Sequence, residues 1–124
     1  MANDFGKLLR SLRVAAGVSM GALGRHLGVS VTYLSDVERG TRAPLTQERI
    51  ELAGPFLKLD KPKLLKLLEV AAEGRGFFEL GVNENVSPTA KQVGATLMRG
   101  WPRYTEDDLT ELAQFLQSLE DKPR

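Results

Sequence analysis

The sequence predicts an all-α fold: a five-helix N-terminal domain followed by a C-terminal helical hairpin, with one short strand as the sole β candidate between them. Three observations carry this expectation. Apolar residues recur at i, i+3, i+4 and i+7 along most of the chain, which is the spacing of one helix face. The apolar stretches follow an Asp, Ser or Thr able to cap a helix, and several run into a Gly able to end one. Only residues 77–82, Phe-Phe-Glu-Leu-Gly-Val, read as β-like.

The first helix is expected from about Asp4 to Ala16. Phe5, Leu8, Leu9, Leu12, Ala15 and Ala16 line one face, and Gly17 closes it. Ser19 caps a second helix in which Met20, Leu23, Gly24 and Leu27 recur at helical spacing. Gly28 supplies the positive φ that a sharp turn needs, and Val29 fills the corner. Ser30 then caps a third helix, Val31 to Glu38, which Gly40 ends. This helix buries Leu34 and Val37 and turns Val31, Thr32, Ser35, Asp36 and Arg39 the other way. Two short helices about a glycine turn, the second with a polar outer face, make the helix-turn-helix pattern.

A fourth helix starts near Thr46 and carries Ile50, Leu52, Ala53, Phe56 and Leu57. Pro55 removes a helical donor, and Gly54 can take the extended conformation that precedes proline, so a kink or break is expected there. Asp60 caps a fifth helix, with Pro62 in its first turn. Its Leu64, Leu65, Leu67, Leu68, Ala71 and Ala72 form a stripe broad enough to predict burial on two sides. Gly74-Arg75-Gly76 breaks it. After the β-like run and the polar Asn83-Glu84-Asn85, Ser87 caps a helix with Pro88 at its first position. Ala90, Val93, Gly94, Leu97, Met98 and Trp101 line that helix, and Pro102 stops it. Thr105 opens the last helix with Glu106, Asp107 and Asp108 at the positive end of the dipole, ahead of a stripe of Leu109, Leu112, Ala113, Leu116 and Leu119. The expected organisation is a helix-turn-helix domain over 1–74, a linker with the short strand over 75–86, and a helical dimerisation or partner-binding segment over 87–124.

The run LGVSVTYLSDVERGTRAPL resembles the DNA-binding domain of the Cro/CI-like (Xre) repressors of phages and bacteria. The similar stretch extends from about Phe5 to Leu68. Its most specific part is Val29, Ser30, Tyr33, Leu34, Ser35, Val37, Glu38, Arg39 and Gly40, followed by Arg42 and Pro44. The resemblance implies a domain closed by about five helices and an ion pair between Arg13 on the first helix and Glu38 at the end of the third. It also implies a loop after Gly40 that lies along the DNA backbone. Two positions depart from the pattern. Met20 stands where the family often has a glutamine that holds a phosphate, which leaves its backbone N–H as the donor. Gly24 stands where the family usually has alanine at a helix–helix contact.

On this reading the base-reading residues are Val31, Thr32, Ser35 and Asp36. Val31 can touch a thymine methyl, Thr32 and Ser35 can donate or accept, and Asp36 can accept from cytosine N4. Ser19, Met20, Ser30, Tyr33, Arg39, Thr41 and Arg42 are the expected phosphate contacts. The charge follows the same division. Lys7, Arg10, Arg13, Arg25, Arg39 and Arg42 outweigh Asp4, Asp36 and Glu38 in residues 1–45, a net of +3. Residues 75–124 hold six basic and eight acidic side chains, a net of −2, and so offer a partner or dimer surface rather than a nucleic-acid surface. One recognition helix reads only about four base pairs, so a dimer on two half-sites about 34 Å apart is expected. Phe77, Phe78, Leu97, Trp101, Leu112, Phe115 and Leu116 are its expected contacts. The expected partners are double-stranded DNA, a second copy of the chain, and alternatively a protein bound at the acidic half.

Other chemistries find little support. The absence of cysteine excludes disulfides and thiolate metal sites, and the single histidine, His26, lacks the further soft ligands a metal needs. No apolar run approaches about 18 residues and the N-terminus has no signal-peptide core, so no membrane association and a cytoplasmic location are expected. Asp107-Asp108 is better explained by a helix first turn than by a carboxylate pair. Gly74-x-Gly76 lacks the rest of a phosphate loop, and no Ser/His/Asp set with a glycine-rich elbow exists. Trp101, Met98 and Phe115 are expected to pack in a core or dimer interface rather than line a ligand pocket. No catalytic residue, metal or cofactor is expected, and the chain is not expected to be an enzyme. The expected function is that of a sequence-specific DNA-binding transcriptional regulator, a repressor on a palindromic operator. The alternatives are the DNA-binding antitoxin of a toxin–antitoxin pair and a helical protein-binding adaptor.

Overall fold

A computed structural model describes residues 4–124; the first three positions of the expected 1–74 domain lie outside the described residues. The chain is all-α. The helices are α1 (Phe5–Ala15), α2 (Met20–Leu27), α3 (Val31–Arg39), α4 (Gln47–Phe56), α5 (Lys61–Arg75), α6 (Pro88–Gly100) and α7 (Glu106–Glu120), with a 3-10 turn at Trp101–Arg103. Local chemistry starts them. Ser19, Ser30, Thr46, Asp60, Ser87 and Thr105 each accept a bond from the backbone N–H three residues on. Each such cap contributes about 1 kcal/mol. At Thr105 the cap is reciprocal, because Asp108 accepts from the Thr105 N–H.

α4 does not break at Gly54. Gly54 is buried within the helix and Pro55 falls in the last turn, so the single bond lost with its N–H lies where the helix is about to end. The chain turns instead at Lys58, whose φ is +56°. There the Leu59 N–H donates to the Gly54 carbonyl at 2.9 Å and the Lys58 N–H donates to the Pro55 carbonyl at 3.1 Å. That pair of bonds satisfies the helix end as a glycine terminator would.

The chain forms two compact units that divide after Glu79. In the first unit α1 packs on α3 and α5, α2 packs on α3 and α4, and α4 packs on α5. Phe5, Leu9, Leu23, Leu34, Leu45, Ile50 and Leu67 are fully buried at the centre. Each large apolar side chain so buried is worth about 1.5–3 kcal/mol. α5 is less enclosed than its composition suggests. Leu67, Val70, Ala71 and Ala72 are buried, but Leu65 falls outside the 3.6-residue period and stays 45% exposed.

The expected strand over 77–82 does not form. Among the described residues no other segment is extended into a strand to pair with it, so its backbone polar groups are left to water. In the second unit, Leu80–Arg124, α6 packs on the 3-10 turn and neither α6 nor α7 packs broadly on the other. None of its residues is buried.

Candidate nucleic-acid interface

α3 is held from behind by its own sequence. Leu34 and Val37 are buried in the core, and Glu38 is the one buried charged residue among those described. Glu38 accepts two bonds from Arg13 on α1, from Nε at 2.7 Å and from Nη2 at 2.9 Å. Arg13 Nη1 also donates to the Val18 carbonyl at 3.1 Å. The hydrogen bonds to Glu38 raise the Arg13 pKa above its ordinary value; burial opposes the shift and the Glu38 charge adds to it. α1 approaches α3 backbone to backbone. A Cβ on Gly6 would lie 2.3 Å from the Glu38 carbonyl oxygen and 2.5 Å from that of Val37. Neither periodicity nor turn chemistry marks Gly6, so sequence reasoning missed it. At the turn, Gly28 has φ +71° and the Val29 N–H donates to the Gly24 carbonyl at 2.9 Å.

The opposite face of α3 is open. Val31 and Thr32 are exposed at its N-terminus, and Ser35 and Asp36 are half-buried one turn on. Asp36 is partly engaged: its Oδ1 takes a bond from Arg39 Nη2. Ser19 and Ser30 use their oxygens as caps, which leaves both hydroxyl protons to donate to an anion. Met20 is half-buried against the core, so only its backbone N–H faces the end of α2. The Thr41 hydroxyl donates to the Asp36 carbonyl at 3.1 Å, which commits its proton to the end of α3. Arg42 is exposed, with its guanidinium 5.5 Å from the centre of the Tyr33 ring.

Arg49, in the first turn of α4, joins this group although no sequence signal singled it out. Its guanidinium also lies 5.5 Å from the Tyr33 ring centre, and its Nη1 donates to the Tyr33 hydroxyl at 3.3 Å. His26 serves packing instead. Its ring stacks on Phe56 at 4.2 Å, and Nε2 donates to the Leu52 carbonyl at 3.0 Å, tying α2 to α4. Of the residues expected in a dimer contact, Phe77, Phe78, Trp101, Phe115 and Leu116 are exposed, and Leu97 and Leu112 are half-buried.

The helix-turn-helix domain profile matches residues 4–67, just over half of the chain. The chain belongs to the helix-turn-helix domain family. No curated protein and no solved structure matches it. The helix-turn-helix match takes in α1 to α4 and ends within α5, so α6 and α7 lie outside it. Among the described residues of this helix-turn-helix protein, no helix is long and apolar enough to cross a membrane, and no cluster of His, Asp and Glu could hold a metal ion.

Proposed function

We propose that this helix-turn-helix protein is a sequence-specific transcriptional regulator of the Cro/CI-like (Xre) type, a cytoplasmic repressor that binds a palindromic operator as a dimer. The observation that carries the proposal is the two-sidedness of α3. Leu34, Val37 and the Arg13–Glu38 pair fix one side, while Val31, Thr32 and Ser35 stand on the other. A helix held that rigidly can enter a major groove with its N-terminal side chains at the base edges. Ser19, the Met20 N–H, Ser30, Arg39 and Arg42 then meet phosphates, which set register without reading sequence. Asp36 keeps its Oδ2 to accept from a cytosine while Oδ1 stays on Arg39, and that pair partly neutralises the carboxylate facing the DNA.

The second unit supports self-association. Its Val93, Met98, Trp101, Phe115 and Leu116 are all more than half exposed, an apolar surface that an isolated monomer rarely leaves uncovered. The charged residues of α6, Lys91 and Arg99, are basic, whereas those of α7, Glu106, Asp107, Asp108, Glu111 and Glu120, are acidic. A two-fold axis that sets α6 of one copy against α7 of the other covers both stripes and matches their charges. The same acidic helix favours a second reading, in which a basic protein partner sits there, as an antitoxin requires.

Selection of bound duplexes from a random pool tests the proposal. A palindrome with half-sites about 34 Å apart is the expected product. An unenriched pool would overturn it, and a single half-site would overturn the dimer.

A further inference from the structure

We propose that Arg49 binds a DNA phosphate, held in position by Tyr33 beside Arg42; the proposal rests on the DNA-binding reading above. Three facts point to it. First, Arg42 from the loop after α3 and Arg49 from α4 each lie 5.5 Å from the centre of one ring, Tyr33 of α3. Three separate segments thus bring two guanidinium groups to the edge of the recognition helix. Second, neither guanidinium has a carboxylate partner among the described residues, unlike Arg13, which pairs with Glu38, and Arg39, which pairs with Asp36. Two like charges on one ring gain from an anion beside them, which turns their mutual repulsion into shared attraction. Third, Arg49 sits in the first turn of α4, three residues after the Thr46 cap, where the helix dipole disfavours a cation. A residue placed against a local rule is expected where function requires it.

The hydrogen bonding completes the site. The Tyr33 hydroxyl accepts from Arg49 Nη1, so its own proton remains available to donate to the same anion. Tyr33 is therefore a positioning residue for both arginines and a donor in its own right. Arg42, Arg49 and the Tyr33 hydroxyl together present positive charge and donors alone, which fits a backbone phosphate and not a base edge. The site lies beside the base-reading face and adds affinity without sequence preference.

The test is a salt titration of duplex binding for the intact protein, by fluorescence anisotropy, with a selected duplex and a random one. Arg49→Gln keeps a donor for the Tyr33 hydroxyl and removes the charge. It is expected to weaken binding to both duplexes by a similar factor, about tenfold near 0.1 M salt, and to lower the slope of log K against log salt by about 0.9. Arg49→Lys should retain the slope, and Tyr33→Leu should lower it by releasing both arginines. Unchanged slopes in Arg49→Gln, with or without a fall in melting temperature, would show that Arg49 only packs on Tyr33 and would overturn the proposal. A loss confined to the selected duplex would overturn it in favour of base contact. If the unaltered protein binds neither duplex, the DNA-binding reading falls first and this site with it.

Discussion

Arg13 on α1 and Glu38 near the end of α3 meet through two hydrogen bonds, 2.7 and 2.9 Å long, across a gap of 25 residues in sequence. With 3% of the Glu38 side chain exposed, the carboxylate has no water to replace its partner. Removing either member strands the other, at a typical cost of about 3–5 kcal/mol. Glu38→Ala should therefore lower the melting temperature by more than about 10 °C. The double variant with Arg13→Ala should cost less than the sum of the two single ones, as thermal melts of the three would show.

Gly6 and Gly21 both lie in helices and make opposite predictions. A Cβ on Gly6 meets backbone oxygen at 2.3 Å, and neither α1 nor α3 can yield without moving the ion pair. A Cβ on Gly21 meets nothing closer than the end of the Arg25 side chain at 3.7 Å. Gly6→Ala should destabilise by several kcal/mol, in the manner of an overpacked core. Gly21→Ala should stabilise by up to about 1 kcal/mol from helix propensity. Chemical denaturation midpoints of the two variants check both signs.

The division of α3 into readers and holders predicts two kinds of binding defect. Thr32→Ala and Ser35→Ala should alter which duplex is preferred, at about 1–3 kcal/mol per lost base contact. Arg42→Ala should weaken all duplexes alike and lower the salt slope by about one. Competition between selected and random DNA separates the two.

Trp101, 55% exposed on the 3-10 turn after α6, tests the role of the second unit. Trp101→Asp should convert a dimer at micromolar concentration into a monomer with weak, mostly nonspecific DNA binding. Truncation after Glu79 should do the same while leaving the core of α1 to α5 folded. Sedimentation velocity reports both. A monomeric intact protein would shift weight to a heterologous partner at α7.

What was legible in the sequence is what is local. The caps at Ser19, Ser30 and Thr105 need only a hydroxyl and the N–H three residues on, and the turn at Gly28 needs only a residue free to take positive φ. What was not legible depends on distant neighbours. Pro55 is harmless because α4 ends just after it, which depends on Lys58 accepting a left-handed turn. The run 77–82 has β-like composition, but a strand needs a partner and the described residues supply none. Gly6 and Arg49 were invisible for the same reason: their roles exist only once Glu38 and Tyr33 are beside them. The pairing of Asp36 with Arg39 is the intermediate case, since the i, i+3 spacing was readable and the bond itself depends on the side-chain rotamers.

The central claim is that α3 reads DNA sequence. Its most direct measurement is the ratio of affinities of the intact protein for a selected duplex and a random one, taken at several salt concentrations. The account predicts a ratio of at least about a thousand near physiological salt, with affinity for both duplexes falling as salt rises. Equal affinity for the two duplexes, or binding indifferent to salt, would contradict it.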